Sequence, residues 1–403
     1  MLAGSALTLG ACRHAGAAPA VAPSAASASS DATVPVPARQ ADPAGRPLRI
    51  VLMPVENLAG TAVPAKELLL AIELVLRQKL DLVGGDILEQ FLSRHRLRWT
   101  GGLDATSAVA ARDELGADAV LITSVTAWRP GPPPTLGLTM RLVSTGDDPA
   151  ILWMDTAAKA GDDAPGLLQL GVIDDMKELQ QLLLSRLVTS LEGAATRQGG
   201  RAGQACSGGL WHQPKVRFRS PLLDEPKEAR AAVLPFLNRT GRRGAGDVVA
   251  LEVTRQLAAS GRYRVLEPGV VRDYLLRSRL MIPGGVSLET SRMFVGALGV
   301  DLLLNGTVFD YLDSGGPSGA SIRFTLIGLE GGSGEVVWHS SSYGRGDDGV
   351  VFFGLGRIVA ADPLVCQLVG GTVGALLGRG GSSPLPPLDR ELRHRVLSPV
   401  AQH

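Results

Sequence analysis

Pro235-Phe236-Leu237-Asn238-Arg239-Thr240-Gly241 follows a short apolar run at Arg230–Leu234, and the pair has an earlier counterpart. Pro54-Val55-Glu56-Asn57-Leu58-Ala59-Gly60 follows the run Leu48–Met53. Outward from these two turns the correspondence continues. Gly116-Ala117-Asp118 with the apolar Ala119–Ile122 recurs as Gly299-Val300-Asp301 with Leu302–Leu304. Ile151-Leu152-Trp153 recurs as Val336-Val337-Trp338, and Gly161-Asp162-Asp163 as Gly346-Asp347-Asp348. The Leu-Gly-x-Ile runs Leu170–Ile173 and Leu355–Ile358 close the series. The separation grows from 181 residues at the prolines to 185 at the tryptophans, as small loop insertions would produce.

Each copy reads as alternating strands and helices. In the first, Leu48–Met53 is a buried strand and Lys66–Leu80 an amphipathic helix. Helices follow at Asp86–Arg94 and 105–115, the latter ended by Gly116 as a C-cap. Ala119–Val125 is a buried strand. Leu136–Val143 alternates as a half-buried strand does, and it pairs with Ile151–Trp153. A helix at Ile173–Leu191 closes the copy.

The second copy runs Arg230–Leu234, Asp247–Ala258, Tyr263–Leu266, Val270–Arg279, then a helix from Ser287 to Gly299. Asp301–Val308, Ile322–Leu329 and Glu335–Trp338 are its remaining strands, and Pro363–Leu377 is the closing helix. The expected fold class is α/β. It consists of two tandem repeats of a three-layer-like α/β sandwich, each a small mixed sheet flanked by helices in the order β-α-β-α-α-β-β-β-α. The repeats span residues 47–193 and 229–379. A linker at 194–228 holds a candidate strand at Val216–Arg219, and a tail occupies 380–403.

Composition limits function more than it assigns it. The 403 residues exceed one ordinary core. The net charge of +1 and 4% aromatic content argue against nucleic acid as the main partner. Charge is uneven, however. Residues 47–193 carry 13 basic and 19 acidic side chains, the linker 6 and 3, and residues 229–379 carry 15 and 13. An acidic first repeat beside a basic linker can bias how surfaces dock.

Residues 2–11 form a short apolar run that suits a signal-peptide core, ending Leu9-Gly10-Ala11-Cys12. This resembles the bacterial lipobox, so Cys12 is the expected lipidation site and residues 1–11 the signal peptide. Nothing before Cys12 is basic, and a start upstream of Met1 would supply the missing charge. Arg13 after the cysteine favours the outer membrane by resemblance to lipoprotein sorting. The segment 12–46 is rich in Ala, Pro and Ser and reads as a disordered tether. Of the other cysteines, Cys366 is expected as a buried free thiol and Cys206 as an exposed one, with a bridge between them as the alternative.

No catalytic constellation emerges. Asp162-Asp163 and Asp347-Asp348 are the best paired carboxylates. Calcium or acid–base chemistry would use such residues. The remaining ligands of a calcium loop are absent, so the expectation is solvated loops. Asn57 and Asn238 should bond to the backbone of their own turns. The six histidines show no metal-binding spacing, and neither a Gly-x-Ser-x-Gly elbow nor a phosphate loop occurs. No metal or cofactor is assigned. Residues 364–377, with Gly370-Gly371 and Gly374, read as a buried helix too short to span a bilayer.

The second copy resembles the curli-secretion (CsgG-like) lipoprotein superfamily. Pro235–Gly241 is similar to its Pro-Phe-x-Asn-x-Thr-Gly opening. Leu298–Val308 is similar to its Leu-Gly-Ala-Asp-x-x-x-x-Gly-Ser-Val segment, and Gly334–Trp338 to its hairpin arm. Pro54–Gly60 and Leu115–Val125 fit more loosely. The superfamily contains a secretion pore and activators of peptidoglycan synthases. The resemblance implies a non-enzymatic lipoprotein that scaffolds or regulates an envelope assembly through protein–protein contacts. Its partners are envelope proteins, a membrane through the lipid anchor and no nucleic acid, with a homo-oligomer left open. The alternative is a subunit of an outer-membrane secretion or pore complex. The hairpins at Leu136–Val143 and Ile322–Leu329 look short for barrel strands.

Overall fold

Ile50, Val51 and Leu52 are consecutive and apolar, so a strand made from them needs cover on both faces. All three are buried, between one cluster with Leu68, Ile72 and Leu76 and another with Leu88, Phe91 and Ala111. A computed structural model describes residues 48–163, 171–195, 211–224, 229–279, 285–313, 319–350 and 357–379. Cys12, the tether, Cys206, Gly315-Gly316 and the tail at 380–403 lie outside these.

Among the described residues the chain forms two mixed sheets and eight helices. The first half comprises β1 (Arg49–Leu52), β2 (Glu56–Asn57), α1 (Ala65–Arg77), β3 (Asp81–Val83), α2 (Asp86–Arg94) and α3 (Ala105–Leu115). It continues with β4 (Ala119–Arg129), β5 (Thr135–Ser144), β6 (Ile151–Ala160) and α4 (Met176–Ala195). The second half holds β7 (Lys215–Arg219), β8 (Ala229–Val233), β9 (Leu237–Asn238), α5 (Ala245–Ser260), β10 (Tyr263–Val265) and α6 (Pro268–Arg277). It ends with α7 (Leu288–Phe294), β11 (Leu302–Leu312), β12 (Ser321–Glu330), β13 (Val336–Arg345) and α8 (Ala361–Leu376).

The strand orders are β3-β1-β4-β5-β6, with β2 on β4, and β10-β8-β11-β12-β13-β7, with β9 on β11. In each sheet the short inner strands pair in parallel and the long hairpins pair antiparallel. Local rules explain the element ends. Asp104 caps α3 by accepting from the Ser107 amide, and Gly116 ends it in the left-handed region at φ 61°. Ser287 caps α7 through the Thr290 amide. Leu68, Ile72 and Leu76 recur on one face of α1, and each contributes about 1.5–3 kcal/mol by burial.

Several expectations are corrected. Strand β3 fills the second strand of the expected order, but its residues carry no local signal in the first copy, because three residues opening on an exposed Asp81 have no period. The helix placed over Ser287–Gly299 stops at Phe294. Strand β4 runs on to Arg129 and β5 is 10 residues long, so the hairpins are longer than the sequence suggested. Strand β5 is also buried along nearly its whole length, where alternation predicted one wet face. Gly137, Thr139 and Arg141 lie under helices of the second half, so polar residues occupy a covered face. No helix among the described residues is long and apolar enough to cross a membrane. The described residues fall in one compact unit, so the two sheets are parts of the same body.

Candidate functional site

Each Asn of the repeated turns folds back on its own backbone, as Asn does in tight loops. Asn57 accepts from the Ala59 amide at 3.0 Å and donates to the Thr61 carbonyl at 2.7 Å. Asn238 accepts from the Thr240 amide at 2.9 Å and donates to the Arg242 carbonyl at 2.7 Å. The two turns then meet. Arg242 donates through Nη1 to the Leu58 carbonyl at 2.8 Å and through Nη2 to the Thr126 carbonyl. Its Nε donates to Asp313 at 2.8 Å, and its guanidinium lies 4.5 Å from the centre of the Tyr311 ring. Gly244, at φ 75°, sits so close that a Cβ there would lie 2.6 Å from the Leu58 carbonyl oxygen.

From these turns a seam runs between the halves. Its centre is the ion pair of Arg141 with Glu267, at 3.2 Å with both side chains fully buried. Glu267 caps α6 and also accepts from the Leu103 amide at 3.2 Å. Arg141 in addition donates to the Gly101 carbonyl. Gly102 and Gly269 permit this approach, since a Cβ at Gly102 would come within 2.7 Å of the Gly269 Cα. Further along, Arg255 pairs with Glu252 at 2.6 Å and reaches Asp155 at 3.7 Å. Asp155 in turn accepts from Ser190. Asp362 faces the first sheet, where a Cβ on Gly137 would lie 2.8 Å from its Oδ2. Burial pushes the Asp362 carboxyl up to about 6, with Thr126 and the Arg242 charge opposing the shift.

Beside the turns the seam opens into a cleft of about 440 Å³ lined by both halves. Glu56 accepts from Trp99 Nε1 at 3.0 Å and from Ser124 at 2.6 Å. The Arg272 guanidinium stacks 4.3 Å from the Trp99 ring centre. Asp247, in the first turn of α5, forms part of the wall. It is exposed toward the cleft and crowded by protein on its other sides. That desolvation, reinforced by the charge of Glu56 and opposed by Arg272, pushes its carboxyl up to about 6. Carboxylates, guanidiniums and an indole face therefore line one concave surface of ligand-binding size. No Cys, His or Ser is among the described residues lining it. The arrangement suits recognition of a polar or charged group.

The carboxylate pairs picked out in the sequence lie elsewhere. Asp163 accepts from the Ala160 amide at 2.7 Å and from Val359 across the seam at 3.1 Å. Burial raises its carboxyl above the ordinary range. Asp348 accepts from the Arg345 amide at 2.8 Å, and Asp347 lies 3.3 Å from Arg345. Asp163 and Asp348 tie down backbone at strand ends, whereas the sequence reading had them solvating loops. No group of three or more metal-ligating side chains occurs among the described residues. Cys366 is disulfide-bonded, which corrects the free thiol expected there. Trp99, Asp247, Arg272, Arg141 and Glu267 escaped the sequence reading. The one available signal was Trp99, a rare aromatic closing the basic run Arg94–Arg98.

No family model and no curated protein matches the chain. Among solved structures, the PelC dodecamer from Paraburkholderia phytofirmans is 17% identical with a TM-score of 0.28, covering 41% of this chain and 98% of that one. The LpoB C-terminal domain from Salmonella enterica is 21% identical with a TM-score of 0.24, covering 30% and 87%. Lipoprotein GNA1162 from Neisseria meningitidis is 19% identical with a TM-score of 0.26, covering 37% and 100%.

Proposed function

We infer that the chain is a lipid-anchored protein of the bacterial envelope, held through Cys12 at the outer membrane and facing the periplasm. It scaffolds or regulates an envelope assembly by binding another protein. The observation that carries this reading is the cleft built jointly by the two halves, with Trp99 and Arg272 stacked beside Glu56 and Asp247. Such a surface accepts a protruding charged segment of a partner, with the aromatic as anchor and the charges fixing its orientation. The apolar run ending at Cys12 and the tether behind it supply the anchor. The resemblance of the repeated turns to the curli-secretion superfamily supports the envelope setting. The secretion-pore alternative has less support. Strands β4 and β5 are long enough for a barrel but buried in a covered sheet.

The test is crosslinking in cells followed by identification of captured proteins, with wild type beside the double variant Trp99→Ala, Asp247→Asn. A specific envelope protein captured by wild type and lost in the variant is expected. Equal capture by both removes the cleft from the reading. Labelled palmitate incorporated by wild type and lost in Cys12→Ala tests the anchor, and no incorporation by wild type refutes it.

A further inference from the structure

The seam uses one face of each half and leaves much of the corresponding face of the other half exposed among the described residues. Helices α5 and α8 rest on the face of the first sheet formed by Thr126, Gly137, Thr139, Arg141 and Met154. Strand register identifies the same positions in the second sheet. Trp153 pairs with Leu142, and Trp338 pairs with Gly328. Arg141 therefore corresponds to Ile327, Thr139 to Thr325, and Met154 to His339. Thr126, skipped at the bulge of β4, corresponds to Phe309, skipped at the bulge of β11. Thr126 is 1% exposed and Phe309 is 45% exposed. Arg323 on the same strand face as Ile327 is exposed, as are Leu312 and the edge-strand residue Phe218.

The helices show the reciprocal difference. Counting from the paired prolines, Leu68 and Ile72 of α1 correspond to Val249 and Val253 of α5, and all four are buried against their own sheets. On the outer side, Leu251 and Arg255 of α5 are 8% and 1% exposed because they meet the first half. Their counterparts on α1 are Leu70 and Leu74, which are 64% and 68% exposed. Leu182 on the neighbouring α4 is exposed as well. Among the described residues this leaves two exposed patches: Leu70, Leu74 and Leu182 on the helices of the first half, and Phe309, Leu312, Arg323 and Phe218 on the sheet of the second, beyond the part at Ile327 that α6 and α7 cover.

We propose that these two surfaces bind each other between copies, the α1–α4 face of one chain seating on the β11–β12–β13 face of the next, in the geometry already used within each chain. Two further observations support it. The ionic groups of the seam have mostly uncharged counterparts. Arg141 and its cap partner Glu267 correspond to Ile327 and to Gly85, the residue preceding α2. Arg255 and Glu252 correspond to Leu74 and Ala71. The centre of such a contact is therefore mostly uncharged, with Arg323, at the place of Gly137, the charged group on the receiving face. The long-range charges are also complementary. The first half is acidic, while the receiving sheet edge carries Lys215 and Arg217, Arg219 being paired with Asp224. A contact of this kind joins unlike faces, so it propagates head to tail and ends in a ring or a filament.

The experiment uses the full chain with Cys12→Ala, so that no lipid drives association, and measures mass against concentration by sedimentation. Wild type is expected to grow beyond one chain as concentration rises. Leu70→Asp with Leu74→Asp, and separately Phe309→Asp, should each stay at the mass of one chain while keeping the wild-type circular dichroism. A mixture of the two variants should form one-to-one dimers that grow no further, since one intact face remains on each. A wild type that stays a single chain up to about 100 μM overturns the proposal. So does a mixture that fails to pair, or a pair of variants that still grow. These masses are read without the cleft or any envelope protein, so they stand apart from the test of the proposed function.

Discussion

Arg141 in the first sheet and Ile327 in the second occupy the same register, one residue before the position opposite Trp153 and Trp338 respectively. Yet the charged residue is fully buried and the apolar one keeps part of its surface in solvent. The inversion follows from what lies above each sheet. Glu267 at the start of α6 and the Gly101 carbonyl close over Arg141, while Ile327 is only partly covered, by the α6–α7 cluster of its own half. Similar elements reach different burial because sheet position and cover are set separately. A residue's environment here depends on the packing of the halves as much as on its own strand.

Breaking the covered side should produce the largest effect. Glu267→Ala strands the Arg141 charge in a dry seam and is expected to cost about 3–5 kcal/mol in urea unfolding. Adding Arg141→Met should recover most of that loss, because a matched apolar pair has no charge to desolvate. A loss below about 1 kcal/mol for Glu267→Ala would mean that the seam admits water, and the contrast with Ile327 would collapse.

Next comes Asp362. Its folded carboxyl, raised to about 6, holds a proton more tightly than the unfolded chain does. Below pH about 4 it costs nothing, the cost grows between about 4 and 6, and above about 6 it is complete. The group therefore lowers stability as pH rises through that window, by on the order of 3 kcal/mol. Asp362→Asn should remove this slope. Unfolding free energies at pH 4 and pH 7 that change equally in both proteins would refute the assignment.

The paired turns give a finer comparison. Asn57→Ala is expected to cost about 1 kcal/mol, and Asn238→Ala up to about 2 kcal/mol, because the second turn also positions Arg242 against the first half. Equal losses in thermal or urea melts would show that the bridging arginine does not depend on its turn. The smallest effect belongs to Asp148, which reaches Arg264 and Arg230 across the halves at the surface. Asp148→Asn should change stability by at most about 1 kcal/mol. A larger loss would make the rim of the seam as important as its centre.

Helices α2 and α3 were legible from the sequence to the residue. Helix α2 has a local period, and α3 has local stops, the Asp104 cap at its start and Gly116 at its end. The repeated Asn turns were legible for the same reason. Strand β5 was legible as a strand and misread as half-wet, since its cover comes from residues far along the chain. The cleft shared this fate. Glu56, Trp99 and Asp247 have no mutual spacing that a reader could test, and only the docking of the halves brings them together. Cys366 was placed correctly in a buried helix, but its oxidation state, with free thiol and bridge both open in the sequence, is decided by what the fold brings to it.

The seam also has a consequence for the order in which the chain can mature. Arg141 lies 126 residues before Glu267, and Asp163 lies 196 residues before the Val359 amide it binds. Until the second half folds, the first sheet has no cover for these groups. Through that interval a charged and polar strand face stands open beside a finished apolar core. The two halves therefore gain their stability together, since neither satisfies its share of the seam alone.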